Sequence, residues 1–160
     1  MFTFKDILAL AVQIESNGEE IYRNALGRNA SKELTELLSW IADEEARHGE
    51  WFEELSRKAP PDPVAGDMEK MGRIMLRSSM ADQSFSLDEA DLARVEEADR
   101  LLAMSIEFEE DTVAFYRMIR PFLQDPEAIE LLERIIEEER RHIEMLSELR
   151  EKLQGQENKA

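Results

Sequence analysis

A chain of 160 residues is the size of one ordinary domain, and with 42% apolar against 36% charged residues it can bury a sizeable core. The absence of cysteine excludes disulfides, thiolate catalysis, zinc fingers and iron–sulfur clusters. A formal charge of −17 argues against a nucleic-acid partner, which needs a basic footprint; it suits a solvated helical exterior and draws cations toward the surface.

Only six glycines and five prolines interrupt the chain, which favours long helices. The first predicted helix runs from about Thr3 to Leu26. Its inward stripe is Leu8, Ala11, Val12, Glu15, Gly18, Tyr22 and Leu26, spaced by threes and fours. Gly27 follows where a C-cap glycine is expected. Ser31 is the expected N-cap of the second helix, which reaches about Lys58 with the stripe Leu34, Leu38, Ile41, Glu45, His48, Phe52 and Leu55. Pro60, Pro61 and Pro63 stop it.

The third helix starts somewhere between Asp88 and Glu97 and ends near Arg120, before Pro121. Its stripe is Leu102, Ile106, Glu109, Val113 and Tyr116. The fourth opens at Asp125-Pro126-Glu127, an N-cap with proline at the first helical position. Its stripe is Leu132, Ile135, Glu139, His142, Met145 or Leu146, and Leu149, and the tail from Gln154 to Ala160 is expected to fray. Trp40 and Trp51 read as packing. In the long connection, Asp67 to Met80 suits a short amphipathic helix, with Met68, Met71 and Met75 as core filling or a subunit contact.

The two hairpins repeat one another. Glu109 lies 94 positions after Glu15 (109 − 15 = 94), and the same offset relates Tyr116 to Tyr22, Glu139 to Glu45 and His142 to His48 without a gap. The expected architecture is therefore all-α: one domain over 1–160, a four-helix bundle of two repeated hairpins (3–58 and 96–153) joined by a long crossover (59–95).

The chain has only two histidines, and each follows a glutamate by three residues, in Glu45-Ala46-Arg47-His48 and Glu139-Arg140-Arg141-His142. Residues three apart share a helix face, so each pair can reach one ion. Glu15 and Glu109 sit within apolar stripes, where an acid must be paired, protonated or metal-bound. Four acids converging without a cation would repel one another. The six residues predict a site for two metal ions. Oxygen and imidazole donors suit iron or manganese, with zinc a competitor. Glu15 and Glu109 would be terminal ligands, Glu45 and Glu139 bridges, and each histidine would hold one ion. Such a pair can bind and reduce dioxygen or peroxide. Tyr22 and Tyr116 either hydrogen-bond a ligand carboxylate from across the bundle or are core aromatics with a wet tip.

A glutamate on each of two helices, with Glu-x-x-His on the other two, resembles the ferritin-like di-metal carboxylate proteins. Within them the sequence is most similar to the rubrerythrin group, over both hairpins but not the connection. The resemblance implies a ferritin-like bundle with two iron ions held by Glu15, Glu45, His48, Glu109, Glu139 and His142, with Tyr22 beside them. It implies a cytoplasmic oxidoreductase that reduces peroxide, and a homodimer. Met1 to Asp6 shows no secretory pattern, and no apolar run spans a bilayer, which fits. Two departures stand out. Rubrerythrins commonly carry a cysteine-built iron site that delivers electrons, so here the donor is expected to be a separate protein. They also use an extra glutamate on the third helix, where this chain has Thr112; Glu107 and Glu110 offer another registration off the stripe. An iron-storage protein of bacterioferritin type and a metal-free helical interaction module are the competing expectations.

Overall fold

The computed structural model describes residues 3–26, 32–58, 71, 74, 87–92 and 94–157. Within them run α1 (Phe4–Leu26), α2 (Lys32–Lys58), the single turn α3 (Glu89–Leu92), α4 (Ala98–Ile119) and α5 (Pro126–Glu157). None of these helices is long and apolar enough to cross a membrane.

Helix α1 begins with a reciprocal cap. The Thr3 N–H and hydroxyl both donate to Asp6 Oδ2, at 2.9 and 3.0 Å, and Thr3 Oγ1 accepts from the Asp6 N–H at 3.3 Å. Helix α5 starts as its Asp-Pro-Glu run predicts, with Asp125 Oδ1 accepting the Glu127 N–H at 3.0 Å. Helix α4 begins at Ala98, just past the predicted window, and Glu97 precedes it in extended conformation without a side-chain cap. Part of that window holds α3 instead, because burying Leu87, Leu92 and Val95 turns the chain back onto α1 before α4 can start. At its far end α4 passes into a 3₁₀ turn over Arg120–Phe122, which Pro121 enforces.

Helix α1 packs along α2, and α4 along α5. The two hairpins then meet through α1 against α5 and α2 against α4. The seam is filled by Leu8, Ile14, Leu38, Ile41, Phe52, Leu102, Phe108, Leu132, Ile135 and Leu146, all buried. Each such side chain stabilises the bundle by about 1.5–3 kcal/mol. At the open choice on α5, Leu146 turns inward and Met145 is 39% exposed. Trp51 packs on Phe52 with ring centres 4.9 Å apart, and the Arg134 guanidinium lies 5.9 Å from its ring.

The expected fraying from Gln154 does not occur before Glu157, where the described helix ends. Arg150 grips Asp99 with two hydrogen bonds of 2.8 and 2.9 Å, and Gln154 adds a third at 2.6 Å. That fork ties the end of α5 to the first turn of α4. Gly27, Ser31, the prolines after α2, and most of the Asp67–Met80 stretch, Met68 and Met75 included, lie outside the described residues. Met71 is described and is exposed.

Candidate metal centre

Each long helix sends its polar stripe residues to the middle of the bundle: Glu15 from α1, Glu45 and His48 from α2, Glu109 from α4, Glu139 and His142 from α5. Glu15, Glu45, Glu109, Glu139 and His142 are between 0 and 2% exposed. His48 is the open member, its side chain 19% exposed.

Two sets of donors lie close enough to share an ion, each with its atoms within 4.8 Å of one another: His48, Glu139 and His142, and Glu45, Glu109 and His142. Glu15 completes neither set. It approaches His48 instead, with Oε2 3.6 Å from Nδ1, and Glu139 Oε2 is 4.0 Å from the same nitrogen. The imidazoles meet edge to face, 5.0 Å apart. His142 Nδ1 is 2.5 Å from Glu109 Oε1, yet that approach lacks the alignment of a hydrogen bond, and neither ring nitrogen has a partner.

Buried polar atoms nearly always find a partner. Among the described residues eight buried side-chain atoms have none. Seven belong to this centre: Glu15 Oε2, Glu45 Oε1, both Glu139 oxygens, His48 Nδ1 and both His142 nitrogens. The eighth is Tyr116 Oη. The four carboxylate oxygens and one nitrogen of each imidazole are lone-pair donors of the kind that binds a hard or borderline divalent cation. The residues present therefore fit such an ion.

The electrostatics agree. Burial pushes Glu45 and Glu109 up to about 8, and raises Glu15 and Glu139 well above the carboxylate range. Charge on neighbouring carboxylates adds to the rise at Glu15, Glu45 and Glu139. Burial, then the adjacent His142 and Arg47, hold His48 down to about 4. The centre thus resists negative carboxylates and a positive His48 alike, and a divalent ion relieves the first while using the second as a neutral ligand.

Gly18 keeps the site open at α1. A Cβ there would stand 3.0 Å from Glu45 Oε2 and 3.2 Å from the Phe108 ring.

The rubrerythrin family model matches residues 6–97 and 100–160. The chain belongs to the rubrerythrin family. Among solved structures it is similar to a putative ferritin-like diiron-carboxylate protein from Thermotoga maritima, at 22% identity over 94% of this chain and 95% of that one, with a TM-score of 0.54. It is also similar to a hypothetical protein from Pyrococcus furiosus, at 22% identity over 96% and 92% with a TM-score of 0.55. These likenesses show the ferritin-like fold. No curated protein matches the chain.

Thr112, three residues past Glu109, is buried and donates to the Phe108 carbonyl at 3.0 Å. Glu107 and Glu110 are both exposed, so the alternative registration brings no further carboxylate inward. The two tyrosines differ, although the repeat makes them equivalents. Tyr22 Oη donates to Ser105 Oγ at 2.9 Å, and Ser105 in turn donates to the Leu101 carbonyl at 3.0 Å. The residue 94 positions before Ser105 is Ala11 (105 − 94 = 11), which offers Tyr116 nothing. Ser105 escaped the sequence reading, though it sits one helical step before Glu109 on the same face. A stability difference follows. Tyr22→Phe leaves a buried serine short of a donor and is expected to cost about 1 kcal/mol, whereas Tyr116→Phe removes a partnerless hydroxyl and is expected to be neutral or stabilising. Urea unfolding of the metal-free variants checks this. Equal losses would mean that Tyr116 has a partner in solution.

Proposed function

We propose that this rubrerythrin-family protein is a di-iron carboxylate oxidoreductase that reduces peroxide or dioxygen with electrons from a separate donor protein. The observation that carries the reading is the set of seven partnerless donor atoms at the centre of the bundle. In this reading Glu15 and His48 would hold one ion and Glu109 and His142 the other, with Glu45 and Glu139 supplying the remaining carboxylates. When bound, two redox-active ions supply the electrons that a small oxidant takes up. The chain's own residues fix the geometry and exclude bulk water. His48, the one partly exposed ligand, marks the side on which a small oxidant arrives.

The test is elemental analysis of protein purified without chelators or an affinity tag. About two iron ions per chain are expected, largely lost in the double variant His48→Ala, His142→Ala. Iron-loaded protein should then consume peroxide, with an artificial reductant, faster than the same ferrous iron in buffer. An empty protein after anaerobic ferrous loading would sink the metal reading. Bound iron with no gain in peroxide or dioxygen turnover would sink the reductase reading alone.

A further inference from the structure

The repeat makes the outer surfaces of the two hairpins comparable position by position, and at one place they differ in a way that matters. Between α1 and α2 lies a cavity of about 360 Å³. From α1 it is lined by Val12, Ser16, Glu19 and Arg23, and from α2 by Ala46, Gly49, Glu50 and Glu53. Glu45 completes the lining. This is the buried glutamate of the centre, 1% exposed, whose Oε1 has no hydrogen-bond partner. The cavity therefore joins the surface to one ligand of the centre.

The opening depends on small side chains. Gly49 faces α1: a Cβ there would meet Glu15 Cβ at 3.6 Å, an ordinary contact, so that a side chain larger than methyl is what would intrude. At an offset of 94 the counterparts of Ser16, Ala46 and Gly49 are Glu110, Arg140 and Ile143. On the second hairpin Ile143 packs against the core where the first has Gly49, while Glu110 and Arg140 are exposed. Charge is biased in the same direction. Glu19, Glu50 and Glu53 line the α1–α2 cavity, and the only cation among its lining residues, Arg23, is already held by Glu19 at 2.6 Å and Asp43 at 3.0 Å.

We infer that the α1–α2 cavity is an outer site for a hydrated divalent cation, through which the ion passes Gly49 to reach Glu45. Glu50 and Glu53 hold the ion with its water shell, and Glu45 is the first carboxylate to replace that water. Loading is one-sided: the ion bound at the far half must cross the near one. The inference rests on the di-metal reading and adds the route by which the ions arrive.

The experiment is stopped-flow mixing of the metal-free full chain with Co²⁺, followed by the visible absorption of the bound ion, with binding stoichiometry measured at equilibrium. Glu50→Gln with Glu53→Gln should slow association about threefold or more at low salt, and flatten its salt dependence, with stoichiometry unchanged. Gly49→Ile, which places on α2 the side chain that α5 carries, should slow it further, and Gly49→Ala should fall between. A control pair on α5 outside the cavity, Glu144→Gln with Glu148→Gln, should leave the rate near that of the unaltered chain. Equal rates for both charge pairs, with Co²⁺ still bound, would overturn the route and leave the centre standing. No Co²⁺ bound by the unaltered chain would overturn both. Should Gly49→Ile fail to fold, the two charge pairs decide.

Discussion

Replacing Glu45 and Glu139 together by glutamine should abolish metal binding and, in the same protein, raise the melting temperature of the metal-free form. The two effects have one origin. Both side chains are buried and both are held far above the ordinary carboxylate range, by burial first and then by neighbouring carboxylates. At pH 7 the folded chain must keep protons that the unfolded chain releases, which costs free energy. Glutamine is nearly isosteric, needs no proton, and its amide donates to the carboxylates that now lack donors. The gain is on the order of 2–4 kcal/mol, or about 5–15 °C for a domain of this size. The loss is larger in kind, because an amide cannot bridge two cations as a carboxylate does. Calorimetry of the metal-free variant and elemental analysis after ferrous loading measure the two halves. Retained metal, or a lower melting temperature, would mean that these glutamates are ordinary satisfied core residues.

Acidity should act oppositely on the empty and the loaded protein. A carboxyl whose folded pKa is raised contributes stability that is complete below the unfolded value and is lost as pH climbs through the folded one. For Glu45 and Glu109 that interval runs from about 4.5 to about 8, and Glu15 and Glu139 are raised in the same direction. His48, held down to about 4, works the other way. Its contribution is complete above 6.5 and is lost as pH falls toward 4. Above pH 6.5 the carboxyls therefore act without that opposition from His48. The metal-free protein should lose about 1 kcal/mol per pH unit for each proton it retains, so its melting temperature should fall visibly between pH 6.5 and 8. Metal binding expels those protons, so affinity should rise over the same interval. The stabilisation by added ion, small at pH 6, should be large at pH 8. A metal-free protein whose stability is flat from pH 6.5 to 8 would show that the carboxyls are already ionised and solvated.

The helices were readable because their stripes are regular. Glu15, Glu45, Glu109 and Glu139 occupy apolar positions in a 3.6-residue period, and the structure buries all four. What escaped depends on contacts the period does not encode. The start of α4 has no capping side chain to announce it. The persistence of α5 through Gln154 depends on Asp99, 55 residues away in sequence. Ser105 and Tyr22 are 83 residues apart, and only the packing of α4 against the first hairpin brings them together. The Met145 or Leu146 choice was open because both fall within one residue of the ideal spacing, and the unbranched Met145 was left outside.

The repetition of one hairpin pattern within the chain has a consequence for inheritance. A bundle assembled from two copies of one hairpin peptide could change its halves only in step, since one codon would specify both. Carrying the hairpin twice in a single chain frees each copy to vary alone. Ser105 opposite Ala11, Thr112 opposite Gly18 and Ile143 opposite Gly49 are differences of that kind, while the six donor residues at the middle have stayed matched in type. The halves are alike where both must grip and unlike where only one must open.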